Sequence, residues 1–251
     1  MNTVKTSARL RIDPPVHATP IVFETCNLTR DIPPRTHAFN SYVPGQGTDD
    51  YARGNEMQTD VLKPEPLEPE VLVVTLNARL QPVHRGELFE DPLDEVLRNH
   101  GLGEVCGGGT GTTEEGEVAY CDIEVLLSNP TLENIELLIG VLNSMGTPKG
   151  STLRRDRDEE VTRFGNLEGL GLYLNGTDLA DEVYEQCEPT FVHNEITRLI
   201  EGNGEIYSYW QGPSDTALYL YGPSFEVMKE KISAFLNTYP LCQKCRLEQI
   251  A

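Results

Sequence analysis

Basic residues are scarce in this chain of 251 residues. Lysine and arginine number 20 against 40 aspartates and glutamates, a formal charge of −20. A surface so poor in cations does not attract phosphate, so nucleic acid is excluded as the expected partner. No run approaches the ~18 consecutive apolar residues that a spanning helix needs, which argues against a membrane protein. The first ten residues carry basic side chains but no apolar stretch behind them, so no signal peptide is expected and the expected compartment is the cytoplasm. The six cysteines are sparse for the length and do not form the dense framework of a small secreted domain. No Gly-x-Ser-x-Gly, His-Glu-x-x-His or dinucleotide fingerprint occurs, and no cofactor or metal is expected.

What is present has order. Residues 1–69 hold nine of the 17 prolines and no sustained hydrophobic period, and read as an extended arm or linker that wraps on the body or stays disordered. Residues 70–153 alternate elements. A strand over Val71 to Leu76 precedes a helix near Pro92 to His100, with Gly101 as its stop. Strands over Glu104 to Cys106 and Val118 to Leu127 flank the glycine-rich Gly107 to Gly111. A second helix, Thr131 to Met145, is capped by Asn129 or Thr131, and a last strand covers Ser151 to Arg154. Residues 154–166 are a charged, solvated connector or edge. Residues 167–251 repeat the order: a strand at Leu170 to Leu174, helical pieces split by Pro189, a hairpin across Gly212-Pro213, a helix from Phe225 to Leu236, and a closing strand near Arg246 to Ile250. Short matches accompany the repeat, such as Leu76-Asn77-Ala78 with Leu174-Asn175-Gly176. The fold expected is α+β: two tandem ferredoxin-like (β-α-β-β-α-β) repeats with antiparallel sheets, plus the proline-rich arm.

Side chains alternate across a strand, so each face can be listed. Cys121, Ile123, Val125 and Leu127 form the helix-facing side of one strand, and Tyr120, Asp122, Glu124 and Leu126 the other. Two carboxylates in a central strand must meet water, a cation, a basic partner or a well-paired interface. In the second repeat, Tyr173, Tyr219 and Tyr221, together with Tyr207 and Tyr209, are expected on the uncovered face, unless it packs on the other repeat or the arm. Tyrosine suits a contact surface because its apolar ring ends in a polar tip.

The remaining motifs read as structural. Cys242-Gln-Lys-Cys245 is a single C-x-x-C, without the second pair a zinc site needs. It is placed in a loop rather than at the helix start that a redox pair favours. Gly107 to Gly111 lacks the lysine of a phosphate loop and reads as a hairpin or bulge. Asp122, Glu124, Glu117 and His84 are the residue types of an acid–base or metal site, but their spacing does not fix one.

A tyrosine-bearing ferredoxin-like sheet resembles the RNA-recognition motif in outline, without that family's basic-aromatic signature. In charge, size and architecture the chain resembles the acidic immunity proteins that neutralise bacterial toxins. That resemblance implies a non-enzymatic module that docks on a basic protein such as a toxin and blocks it. The contacts expected are Glu117, Tyr120, Asp122, Glu124, Tyr173, Tyr219 and Tyr221. Two other readings follow from the same elements. A small-ligand binder or enzyme would enclose a carboxylate and tyrosine pocket between facing sheets. A regulatory module would use the tyrosine face to form a homodimer.

Overall fold

The computed structural model describes residues 67–155 and 161–251. The arm expected over 1–69 lies, but for its last three residues, outside them. Two antiparallel sheets make up the described chain. In the first, β1 (Glu70–Leu76), β2 (Gly103–Thr112), β3 (Val118–Leu127), β4 (Ser151–Arg155) and β5 (Val161–Phe164) lie in the order β2-β3-β1-β4-β5. In the second, β6 (Glu168–Asn175), β7 (Glu205–Gln211), β8 (Asp215–Gly222) and β9 (Arg246–Gln249) lie in the order β7-β8-β6-β9. The helices α1 (Pro82–Arg85), α2 (Asp91–Asn99) and α3 (Leu132–Ser144) belong to the first repeat. The second has α4 (Asp181–Gln186), α5 (Pro189–Ile200) and α6 (Phe225–Thr238). Each repeat therefore has the ferredoxin-like order, and the fold is the tandem α+β arrangement the strand and helix periods indicate. No helix among the described residues is long and apolar enough to cross a membrane.

Three elements differ from expectation, each for a physical reason. The first helical region is longer than Pro92 to His100: α1 and α2 join through a π-helical turn, Gly86–Glu90, that brings Phe89 into the core. Of the two readings of the glycine run, the bulge holds and the hairpin turn does not. The glycines lie within β2, which bulges between Val105 and Gly107 and again near Gly111, and the chain reverses at Thr113 to Gly116. The charged connector contains structure. Arg154 and Arg155 extend β4 against β1, and Val161–Phe164 returns along β4 as a fifth strand. An edge strand tolerates such charge because its side chains reach solvent.

The cores follow the alternation. Leu72, Val74, Leu76, Ile123 and Val125 meet Leu93 and Leu97 of α2 and Ile135, Leu138 and Leu142 of α3. Leu170, Leu172, Leu174, Leu218 and Leu220 meet Val192, Ile196, Met228 and Ile232 of α5 and α6. The two candidate caps of α3 resolve to Thr131, whose hydroxyl accepts from the Asn134 amide at 3.2 Å. Gly146, with φ of 83°, turns the chain out of that helix as glycine does most readily. Thr131→Ala is expected to cost about 1 kcal/mol, read as a lower urea midpoint.

Candidate functional site

The tyrosine face of the second sheet is not a free surface. Tyr173, Tyr219 and Tyr221 are each buried to within 1% of complete, and they belong to the same apolar cluster as the core of the first repeat. One end of that repeat closes on them. Glu117, in the turn just before β3, accepts hydrogen bonds from the hydroxyls of Tyr173 and Tyr219, both at 2.7 Å, and from Arg79. The Arg79 amide donates to the Tyr221 hydroxyl at 2.8 Å. The Gln81 amide donates to Ser208 at 3.1 Å, and His84 Nδ1 shares a 2.8 Å bond with the same hydroxyl. Trp210 donates to the Gly116 carbonyl, and Tyr207 to that of Gly146.

Glu117, Tyr173, Tyr219 and Tyr221, expected as partner contacts, are thus corrected to a junction between the repeats. The sequence pattern marked the face as amphipathic, and its cover comes from loops whose approach no periodicity encodes. A second correction concerns β7. A bulge between Ile206 and Ser208 sends Tyr207 to the junction and Tyr209 to the helix side, where strict alternation puts both on one face. None of the junction's partners comes from the open face of the first sheet.

The junction's electrostatics favour a charged Glu117. Burial alone raises its pKa, but the two tyrosine hydroxyls and Arg79 outweigh that and hold the carboxyl below its ordinary value. Burial and the neighbouring Glu117 carboxylate push the Tyr173 and Tyr219 phenols up, so they remain donors. The Arg246 guanidinium lies 3.8 Å from the Tyr173 ring centroid, a cation over an aromatic face.

The open face of the first sheet is different. Tyr120, Asp122 and Glu124 project from β3 on the side opposite Cys121, Ile123 and Val125. Tyr120 is 45% exposed and Glu124 is exposed. In register beside them stand Val73 and Thr75 of β1, and Thr75 donates to Asp122 Oδ1 at 2.6 Å. Neither Asp122 nor Glu124 forms an ion pair among the described residues. Across β2 the face is nearly bare: Gly107, Gly109 and Gly111 pair with Glu124, Asp122 and Tyr120. Three of the seven expected contacts thus stand together on one accessible surface. The glycines that shape it escaped sequence reading because a run of glycine signals a turn more often than a strand. Their alternation with Thr110 and Thr112 was the available sign. Arg79, which completes the junction, had no signal at all.

The other groups considered as chemistry do not converge. His84 bonds Ser208, Glu117 bonds the tyrosines, and Asp122 bonds Thr75. Among the described residues no three histidine, cysteine or acidic side chains are arranged to hold a metal ion. The C-x-x-C is a tight turn closed by a Cys245 amide to Cys242 carbonyl bond of 3.2 Å, with Lys244 at φ 60°. Burial, then the adjacent Cys245 and Cys187, push the Cys242 thiol up to about 12, so at neutral pH it is not a ready nucleophile.

No protein-family model matches the chain, and no curated protein matches it in sequence. Among solved structures, it is similar to the first two RRM domains of the yeast poly(U)-binding protein. The alignment covers 72% of this chain and 99% of that chain, at 11% identity and a TM-score of 0.21. The fold assignment rests on the strand orders above rather than on that likeness.

Proposed function

We propose that the chain is a non-enzymatic, cytoplasmic protein-binding module that takes a basic protein partner on the open face of its first sheet. The observation that carries this reading is the pair Asp122 and Glu124. They form no ion pair among the described residues and stand beside the exposed Tyr120 toward the β2 edge of a sheet face that no described element covers, with the exposed Arg154 and Arg163 on the same face toward β4 and β5. The chain around them has a net charge of −20, which speeds encounter with a cationic protein and disfavours acidic competitors. Blocking a basic toxin, as the immunity proteins do, is the form of this function that the resemblance implies. The second repeat supports the face by anchoring one end of the first.

The test compares two charge reversals of equal size. Asp122→Lys/Glu124→Lys alters the open face, and Glu133→Lys/Glu136→Lys alters the exposed side of α3 on the opposite surface of the same repeat. Each is used to retain proteins from the source cell's lysate at low and high salt. A basic protein held at low salt, released at high salt, and lost only with the open-face variant is the expected result. Equal retention by both variants, or retention indifferent to salt, would refute the reading.

A further inference from the structure

The open face leaves a gap between the Tyr120 ring and the Glu124 side chain. Strand β2 contributes backbone alone at Gly107, Gly109 and Gly111. A Cβ placed on Gly107 would lie 2.6 Å from Glu124 Oε2, so the Glu124 side chain reclines over that residue. A Cβ on Gly111 would lie 2.5 Å from the Tyr120 ring, so the ring covers that end. A Cβ on Gly109 would meet nothing within 4 Å. The gap between ring and carboxylate is therefore floored by Gly109. Gly107 and Gly111 are four residues apart, ~13 Å along a strand, which leaves room for one side chain once van der Waals radii are taken off.

Asp122, the register partner of Gly109, stands at the back of the notch. Thr75 holds its Oδ1, and its Oδ2 has no hydrogen bond among the described residues. The floor is fixed from beneath, because Arg85 donates to the Gly109 carbonyl and the Thr110 hydroxyl, each at 2.6 Å.

We infer that this notch receives one arginine side chain of the basic partner, stacked on the Tyr120 ring and bonded to Asp122 and Glu124. The inference rests on the protein-binding reading above and adds the recognised group. Arginine fits better than lysine because its planar guanidinium stacks on an aromatic face and donates to two carboxylates at once. A calcium ion fits less well, since it takes six to eight oxygens and the notch offers two carboxylates.

The probes are tetra-arginine amide and tetra-lysine amide, titrated into the full chain with backbone amide NMR shifts as the readout. Tetra-arginine is expected to shift Gly109 and Tyr120 first, and to bind about tenfold tighter than tetra-lysine. Gly109→Val fills the notch without altering charge. The open space and the absence of a left-handed φ at this position let the variant keep the fold. It is expected to lose about tenfold or more in tetra-arginine affinity. Tyr120→Ser removes one wall from a half-exposed position and serves as a second, structurally mild variant with the same expected loss. Tetra-arginine bound equally by wild type and both variants, or no preference over tetra-lysine, would overturn the inference. If Asp122→Lys/Glu124→Lys abolishes binding while Gly109→Val and Tyr120→Ser do not, the notch falls and the binding face stands. If none of the three matters, both fall.

Discussion

Glu117→Ala will lower the unfolding free energy by about 2–3 kcal/mol in urea denaturation, far more than loss of a surface carboxylate. The carboxylate accepts from two phenols and one guanidinium, and its removal leaves three donors without their acceptor. Its side chain is 15% exposed and that of Arg79 24%, so water recovers part of the loss and the low end of the buried-pair range applies. Arg79→Ala/Glu117→Ala should cost less than the sum of the single changes, because each removes the same contact. Glu117→Gln keeps an oxygen for the phenols and should cost roughly half as much as alanine.

The same residue sets a pH dependence. Its folded pKa lies below the unfolded value, near the ordinary 4.5. Its stabilisation is therefore complete above that value and is lost as the pH falls through it toward the folded pKa. Asp94 and Glu168 also have lowered pKa values, held by hydrogen bonds to Arg98 and Lys149 respectively, so wild type alone does not isolate Glu117. The difference between wild type and Glu117→Gln does. It should be constant above about pH 5 and shrink below pH 4.5. Parallel acid titrations of the two proteins would remove Glu117 from the account.

Much of the architecture was legible because local signals agree with one another. Leu132, Ile135, Leu138 and Leu142 recur at helical spacing behind a threonine cap, and the alternation in Val118–Leu127 fixes which side meets the helices. The expected bounds of α6 and β6 lie within two residues of those found. The glycine run signalled the bulge in β2, but the bulge in β7 was not legible. One residue of slip in β7 puts Tyr209 on the opposite face from Tyr207, and composition gives no warning of it. Of the site, Tyr120, Asp122 and Glu124 were readable as one face because strand period alone decides that. The tyrosines were readable as a face but not as a free one. Their cover is tertiary, assembled from Arg79, Gln81 and Glu117 in loops with no period of their own.

Tyr221→Ala should have the largest effect of any single change at the junction, about 3–5 kcal/mol. The ring is 1% exposed and lies 4.9 Å from that of Tyr207, which in turn meets Phe89 of the first repeat at 6.3 Å. Its hydroxyl accepts from the Arg79 amide, so truncation leaves both a cavity and an unsatisfied buried donor. Tyr221→Phe removes only the second term and should cost about 1 kcal/mol. The single tryptophan reports on the contact directly, since Trp210 belongs to β7 and donates to the Gly116 carbonyl of the first repeat. In wild type, Trp210 fluorescence and far-ultraviolet ellipticity should lose their native signals at the same urea concentration, as a cooperative unit requires. In Tyr221→Ala the tryptophan signal should change first, because the junction opens before either sheet loses its helices. Coincident transitions in the variant, with a loss under about 1 kcal/mol, would mean that the repeats hold together without this ring. The coupling would then lie in the Glu117 hydrogen bonds, which the Glu117→Ala measurement reads independently.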